Sequence, residues 1–119
     1  MYFFDTYAFF EIYYGNENYR KYEEVQFTTT IFNLYELYYN LLKDFGEDLA
    51  LEAFNKHLPL VIEIKKEHII LASKFRLHNT KKKFSYGDAL GYAVAKLEGL
   101  KFLTGDKEFE NLPNVEFVK

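Results

Sequence analysis

The chain of 119 residues contains no cysteine and no tryptophan. The absence of cysteine excludes disulfide bonds and thiolate metal sites, and it favours a reducing cytosol as the compartment. No uninterrupted apolar run reaches the length that a membrane span needs. The apolar amino terminus, MYFFDTYAFF, lacks the basic leader of a signal peptide and carries an acid in its middle. We therefore expect a cytoplasmic protein that does not associate with a membrane.

Linkers, internal repeats and low-complexity segments are also missing from the sequence. Hydrophobic residues make up 49% of the chain and charged residues 28%, which is enough of each for a buried core and a soluble surface. The length is typical of one domain. We therefore predict a single domain that extends over residues 1–119.

The net charge of −3 conceals an asymmetry between the two halves of the chain. Residues 1–64 carry 11 acids and 4 bases, whereas residues 65–119 carry 7 acids and 11 bases. A solvated helix face explains such a basic run, and so does a patch that binds phosphates next to an acidic centre. Lys81, Lys82 and Lys83 are the first candidates for contacts with backbone phosphates of a nucleic acid in such a patch.

Short apolar strands alternate with helices along the sequence. Strands are predicted at 2–4, 25–29, 60–64, 101–104 and 115–118, and helices at 7–14 (with Thr6 as the N-cap), 18–24, 31–45, 47–57, 66–78 and 86–97. Strands that are short, apolar and bounded by turns are typical of a parallel sheet that is buried on both faces. The sequence therefore predicts an α/β fold, a three-layer sandwich around a central parallel sheet of about five strands.

Acidic residues occur where ligands bind in open parallel sheets, outside the carboxyl ends of the strands. Asp5 directly follows the first predicted strand, and Asp106 follows the fourth after one glycine. Glu36 lies in the second turn of the helix after the second strand, on a different face from the apolar stripe. Asp88 lies in the first turn of the helix that begins after Ser85. The pattern places four carboxylates near one edge of one sheet.

Each of these acids also has a plain structural explanation. Asp5 and Asp106 suit turns, Asp88 suits the positive end of a helix dipole, and Glu36 suits an exposed helix surface. Four clustered anions, however, repel each other and raise each other's pKa, and a bound divalent cation resolves that conflict. A site with only oxygen ligands, without cysteine or suitably spaced histidines, indicates Mg²⁺ or Mn²⁺ rather than Zn²⁺.

Three segments carry a family resemblance: FFDTYAFFE, TTTIFNLYELYYNL and SYGDALGYAVAKLEGLKFLTGDKEFENL. In this order they resemble PIN domains of the small, VapC-like toxin ribonuclease type over essentially the whole chain. The resemblance implies that the family's acidic quartet is Asp5, Glu36, Asp88 and Asp106. It also implies that hydroxyls of Thr6 and Thr104 support the metal site and that the first and fourth strands are neighbours. Gly87 and Gly91 depart from the family pattern, which more often has alanine or a larger apolar residue.

The function that these observations predict is metal-dependent hydrolysis of RNA phosphodiester bonds. The resemblance implies the toxin of a toxin-antitoxin pair, with RNA as substrate and a cognate antitoxin as partner. Asp5, Asp88 and Asp106 are the expected ligands of Mg²⁺ or Mn²⁺. Glu36 either binds a second cation or orients the attacking water, and the sequence leaves both roles open.

Other functions compete with this hypothesis. A catalytically silent PIN-like module that binds proteins is the main alternative, and retention of all four acids argues against it. A receiver-type phosphoacceptor domain needs adjacent acids after its first strand, whereas Thr6 follows Asp5 here. A serine nucleophile is disfavoured, because no nucleophile-elbow motif surrounds Ser73 or Ser85.

Tyrosines are abundant, with 11 in the chain, and seven of them fall between residues 13 and 39. They are Tyr13, Tyr14, Tyr19, Tyr22, Tyr35, Tyr38 and Tyr39. A small core does not easily bury this number, because each buried hydroxyl needs a hydrogen-bond partner. We therefore expect some of them in a homodimer interface, which the family resemblance also implies.

Overall fold

The computed structural model describes residues 1–119 and contains four β-strands and five α-helices. The strands are β1 (Tyr2–Phe4), β2 (Phe27–Thr28), β3 (Lys101–Thr104) and β4 (Val115–Phe117). The helices are α1 (Thr6–Tyr13), α2 (Ile31–Phe45), α3 (Glu47–His57), α4 (Lys66–His78) and α5 (Tyr86–Leu97). Each helix falls short of the length and apolar character that a membrane span requires.

All four strands are parallel and lie in the order β2-β1-β3-β4. In the centre of the sheet, Phe3 is in register with Phe102. The amide of Asp5 donates to the carbonyl of Leu103 at 3.2 Å, so pairing continues to the carboxyl end of β1. The predicted neighbourhood of the first strand and the strand at 101–104 is confirmed.

The sheet has one strand fewer than the predicted five. The segment predicted as a strand at 60–64 touches the sheet only through a single bridge between Thr29 and Val61. Leu58–Leu60 instead forms a turn of 3-10 helix, with Pro59 in its first turn. The bridge is not extended on either side, because Leu60 belongs to this turn and the segment paired with Val61 leaves the sheet at Thr30, which caps α2.

Helices cover both faces of the sheet because successive strand residues point to opposite faces. Phe4 lies in a buried cluster with residues of α1, α2 and α3, including Phe9 and Leu34. Phe3 lies in a second cluster with residues of α5 and the chain around β3, including Tyr92 and Phe102. The three-layer α/β sandwich is therefore confirmed.

The two glycines that depart from the family pattern lie where α5 meets large aromatic rings. A Cβ atom at Gly91 would lie 3.2 Å from Cε1 of Phe3 in the centre of the sheet. A Cβ atom at Gly87 would lie 2.5 Å from Cε1 of Phe32 in α2. The distance at Gly91 is tighter than most carbon contacts in a protein interior, and the distance at Gly87 is closer than a Cβ atom comes to a neighbour in folded proteins. The glycines thus make room for these two phenylalanine rings.

Four of the seven tyrosines that were considered for a homodimer interface have hydroxyl partners within the chain. Tyr19 donates to the carbonyl of Val118, and Tyr22 donates to the carboxylate of Glu116. Tyr13 bonds to Nε2 of His57, and Tyr14 bonds to Asp44. Their hydroxyls thus find partners within the chain. Among the others, Tyr35 and Tyr39 are exposed on α2. The homodimer itself stays a prediction.

Candidate active site

A cleft of about 540 Å³ lies beyond the carboxyl ends of β1 and β3. All four predicted acids line it, namely Asp5, Glu36, Asp88 and Asp106. The rest of its wall is largely aromatic and comes from α1 and α2, with Tyr7, Phe10, Phe32, Tyr35 and Tyr39. No lysine, arginine or histidine lines the cleft. The structure therefore brings the predicted acidic quartet together without a basic partner.

Asp5 is the most deeply buried of the four acids and is only 4% exposed. It precedes α1, but its side chain makes no capping hydrogen bond to that helix. Its Oδ2 instead accepts a hydrogen bond from the hydroxyl of Thr104 at 2.8 Å. The same hydroxyl oxygen accepts from the amide of Asp106 at 3.1 Å. Thr104 thus ties the acid that follows β1 to the acid that follows β3.

Two of the acids also have structural roles at helix starts. Oδ1 of Asp106 accepts from the amide of Glu108 at 3.0 Å and begins a short helical turn at Lys107–Phe109. Oδ2 of Asp88 accepts from the amide of Ser85 at 2.9 Å. In return, the amide of Asp88 donates to the hydroxyl of Ser85 at 3.0 Å, which completes a capping box at the start of α5. These bonds fix the position of each carboxylate at the cleft.

Glu36 is held by a relay of hydrogen bonds that connects α2 with α1. The hydroxyl of Thr6 donates to Oε1 of Glu36 at 2.7 Å. The oxygen of that hydroxyl accepts from Nδ2 of Asn33 at 2.9 Å, and Oδ1 of Asn33 accepts from the hydroxyl of Thr30 at 2.6 Å. Each of these protons has one acceptor, so the relay fixes the rotamers of all four side chains.

Asn33 and Thr30 are positioning residues that the sequence analysis did not identify. Both are buried, and a buried polar side chain in a helix is unusual unless it is fully hydrogen-bonded. The available signal was the position of Asn33, one helical turn before Glu36 on the same face. Thr30 also caps α2, since its hydroxyl accepts from the amide of Asn33.

Burial and neighbouring negative charges raise the pKa of three of the carboxyl groups in the cleft. Burial, together with the nearby charges of Asp88 and Glu36, raises the pKa of Asp5 to about 7, although the bond from Thr104 opposes the shift. Burial, and then the charge of Asp88, raises the pKa of Glu36. Burial, and then the charge of Asp106, raises the pKa of Asp88. Positive charge is what would allow these groups to ionise together.

The donor set of the cleft fits a divalent cation that prefers oxygen ligands. It offers four carboxylates and no sulfur or imidazole, which suits Mg²⁺ or Mn²⁺. No three of the acids are gathered closely enough to form a ligand group in the present side-chain arrangement. Oxygens of Asp5, Glu36 and Asp88 are instead engaged by Thr104, Thr6 and Ser85.

The predicted phosphate-binding lysines do not line the acidic cleft. Lys82 and Lys83 line a second cavity, between α4 and α5. Nζ of Lys82 donates to the carbonyl of Glu108 at 2.8 Å, which places it beside the turn that begins at Asp106. Lys81 is exposed and lines neither cavity.

We expect the metal-free chain to lose stability as the pH rises from about 4 to about 7. Within this window the folded chain keeps a proton on Asp5, whose pKa is raised to about 7, whereas the unfolded chain has released it. A group with a raised pKa stabilises the fold at low pH, and the loss approaches roughly 1.4 kcal/mol per pH unit. Urea unfolding in chelator, at the two ends of this window, measures the effect.

Asp5→Asn cannot ionise, so its free energy of unfolding should depend less on pH than that of the wild type. Asp48→Asn, an exposed acid in the first turn of α3, is the matched control and should behave like the wild type. A wild type that is equally stable at both ends of the window, or more stable at the upper end, would contradict the burial of an unpaired carboxylate.

The chain is similar to a known protein family and to several solved structures. A family model described as the PIN domain matches residues 2–115. VapC20 of Mycobacterium tuberculosis, described as a toxin that cleaves the sarcin-ricin loop, superposes with a TM-score of 0.83 at 19% identity and full coverage of both chains. A toxin-antitoxin complex from Klebsiella pneumoniae gives a TM-score of 0.79 at 21% identity, covering 98% of this chain and 96% of that chain.

DNA-bound VapBC from Salmonella typhimurium gives a TM-score of 0.76 at 19% identity, covering 98% of this chain and 95% of that chain. At these identities the similarity shows a shared fold. No curated protein matches the sequence significantly.

Proposed function

Because this chain belongs to the PIN domain family, which generally consists of nucleases, we propose that it is a metal-dependent endoribonuclease. The observation that carries the proposal is that Asp5, Glu36, Asp88 and Asp106 all line one cleft, which contains no basic side chain. The shared fold with a toxin that cleaves the sarcin-ricin loop supports RNA as the substrate. We place this activity in the cytoplasm, as the toxin of a toxin-antitoxin pair.

The residues that would hold Mg²⁺ or Mn²⁺ are Asp5, Asp88 and Asp106. When bound, such a cation polarises a phosphate oxygen, lowers the pKa of a water and shields charge on the leaving oxygen. Thr104 orients Asp5 and fixes its distance from Asp106 through the two hydrogen bonds that its hydroxyl makes. These bonds hold the backbone around both acids in place, and the carboxylates would have to move closer together to bind the cation.

Glu36 is placed to take a proton from the attacking water or to bind a second cation. Thr6 occupies Oε1, so Oε2 is the oxygen that remains available for this proton. The raised pKa of Glu36, caused by burial and by the charge of Asp88, makes it a better proton acceptor than an exposed carboxylate. The buried relay through Thr6 and Asn33 holds it in this orientation.

Addition of Mg²⁺ or Mn²⁺ should raise the melting temperature, because a ligand that binds only the folded state stabilises it. At a cation concentration of about 100 times Kd, the expected gain is roughly 2.7 kcal/mol. The double variant Asp5→Asn/Asp106→Asn should lose this response, whereas Asp44→Asn/Asp48→Asn, which changes two exposed acids, should keep it. A full response by the first double variant would place the cation elsewhere.

The activity is tested by incubating a pool of structured RNAs with the chain in Mg²⁺, in Mn²⁺ and in chelator. We expect cleavage in the presence of either cation and none in chelator. Equal cleavage in chelator would contradict the metal-dependent mechanism. If the chain neither cleaves RNA nor gains stability from cations, the alternative of a catalytically silent protein-binding module is favoured.

An antitoxin partner is the second part of the proposal. The Klebsiella and Salmonella structures are toxin-antitoxin complexes. On this chain, α2 presents an exposed apolar stripe beside the acidic cleft, formed by Ile31, Tyr35, Tyr39 and Leu42. Such a stripe is typical of a surface that another protein covers. Copurification with the product of a small adjacent gene, and loss of cleavage in that complex, would support this role.

A further inference from the structure

A second and larger cavity, of about 860 Å³, lies between α4, α5 and the loop that joins them. Its basic side chains are Arg76, Lys82 and Lys83, and no acidic side chain lines it. Apolar residues of both helices, with Phe84 and Tyr86, form most of the rest of the lining, and the hydroxyl residues Ser73, Thr80 and Ser85 complete it. We refer to this cavity as the basic groove. In a chain with a net charge of −3, a concave surface with three bases and no acid suits an anionic ligand.

Tyr86 and Arg76 form a flat platform at the groove. The guanidinium carbon of Arg76 lies 4.1 Å from the centre of the Tyr86 ring, which is a cation–π arrangement. Nε of Arg76 donates to the carbonyl of Phe84 at 3.0 Å, which anchors the guanidinium. Even so, 77% of Tyr86 is exposed. An aromatic ring that is held in place and open to solvent is the kind of surface on which an unpaired base stacks.

The groove and the acidic cleft flank the first turn of α5. Tyr86 lines the groove, and Asp88 lines the cleft. Two residues of an α-helix are separated by about 200° of rotation, so these side chains lie on opposite sides of the first turn. A second connection is the bond from Lys82 to the carbonyl of Glu108, next to the turn that begins at Asp106. One flexible polymer can therefore occupy both cavities.

We propose that the basic groove binds a single-stranded segment of the RNA substrate that adjoins the phosphodiester bond cleaved at the acidic cleft. One base stacks on Tyr86, and phosphates pair with Arg76 and Lys83. The combination of an exposed aromatic platform with cations and no acid favours single-stranded nucleic acid over a protein segment. This inference rests on the proposed function, because it assigns the strand beside the cleavage site.

Fluorescence anisotropy with a short, labelled single-stranded RNA of mixed sequence tests the groove. The titration is performed in chelator, so that binding is measured without cleavage. Tyr86→Ala should raise the Kd roughly 10-fold, whereas Tyr86→Phe, which keeps the ring, should bind like the wild type. A duplex RNA should bind more weakly, because its bases are already stacked.

The ionic contacts are tested by the salt dependence of the same titration. Lys83→Gln should weaken binding of all sequences and lower the slope of log K against log salt by about one unit. Lys56→Gln, which removes an exposed charge on α3, is the matched control and should leave the slope unchanged. Unchanged RNA affinity in Tyr86→Ala, or no RNA binding by the wild type, overturns the proposal.

Three further outcomes separate this proposal from its rivals. If Tyr86→Ala converts a dimer into a monomer in sedimentation while RNA affinity is unchanged, the groove is a subunit interface and the proposal is wrong. If Tyr86→Ala weakens RNA binding but the wild type cleaves no RNA with Mg²⁺ or Mn²⁺, the groove is supported and the ribonuclease proposal fails instead. Cleavage that is unaffected by Tyr86→Ala at limiting RNA would overturn the groove alone.

Discussion

Replacement of Asp88 by asparagine is expected to reduce RNA cleavage roughly 100-fold or more, while the fold remains intact. The carboxylate of Asp88 lines the acidic cleft and is a proposed ligand of the cation. Its structural role is to accept from the amide of Ser85, and the side-chain oxygen of asparagine can do the same. The substitution thus removes a charge from the cleft and keeps the capping box of α5.

The effect is measured as the initial rate of cleavage, with circular dichroism and the melting temperature as tests of the fold. Asp48→Asn is the matched control, because Asp48 is also an acid in the first turn of a helix but is exposed and distant in sequence from the quartet. RNA binding in chelator should be unchanged or tighter in Asp88→Asn, since a negative charge near the phosphate is gone. Equal cleavage by wild type and Asp88→Asn would contradict the metal-nuclease mechanism.

The second large effect is expected for Gly105→Ala, which should lower the free energy of unfolding by about 3 kcal/mol. A Cβ atom at Gly105 would lie 2.5 Å from the carbonyl oxygen of Val118, and it would also clash with the Tyr7 ring. A ring can rotate away, but this carbonyl belongs to the backbone that continues β4. The amide of Val118 donates to the carbonyl of Thr104 at 2.9 Å, so relief of the clash must disturb that pairing.

Gly91→Ala provides the control for Gly105→Ala. The new methyl group at Gly91 would approach only side-chain atoms, with Cε1 of Phe3 the nearest at 3.2 Å, so a smaller loss is expected. Gly105 also separates Thr104 from Asp106, and its displacement should reduce cleavage along with stability. Urea unfolding of both variants measures the difference, and wild-type stability of Gly105→Ala would contradict the structure around β3 and β4.

Most of the architecture could be predicted from the sequence because each element carries a local signal. Ser85 caps the helix that it was expected to precede, and α2 begins after its cap Thr30 and ends at Gly46. The strand expected at 60–64 is reduced to one bridge at Val61, because Leu60 belongs to the 3-10 turn around Pro59. Apolar composition alone cannot tell such a segment from a strand.

The clustering of the four acids could be predicted from the sequence, because the carboxyl ends of parallel strands converge in space. The hydroxyls and amides that hold these acids could be predicted only in part. Thr6 and Thr104 were implied by the family resemblance, whereas Asn33 and the side-chain bond of Thr30 depend on the packing of α2 against α1. The partners of the tyrosine hydroxyls were also missed, because His57 and Glu116 are distant in sequence from the tyrosines that they bind.

The hydroxyl of Thr104 bridges two acids that come from opposite ends of the chain. Asp5 and Thr104 are 99 positions apart, and in the sheet β3 lies between β1 and β4. Asp5 is therefore synthesised early and Asp106 late, and the cleft cannot assemble until most of the polypeptide has left the ribosome. A nascent or truncated product that ends before β3 has an unfinished sheet and an incomplete quartet. If the protein is the toxin that we propose, its producer is protected from it for nearly the whole of translation.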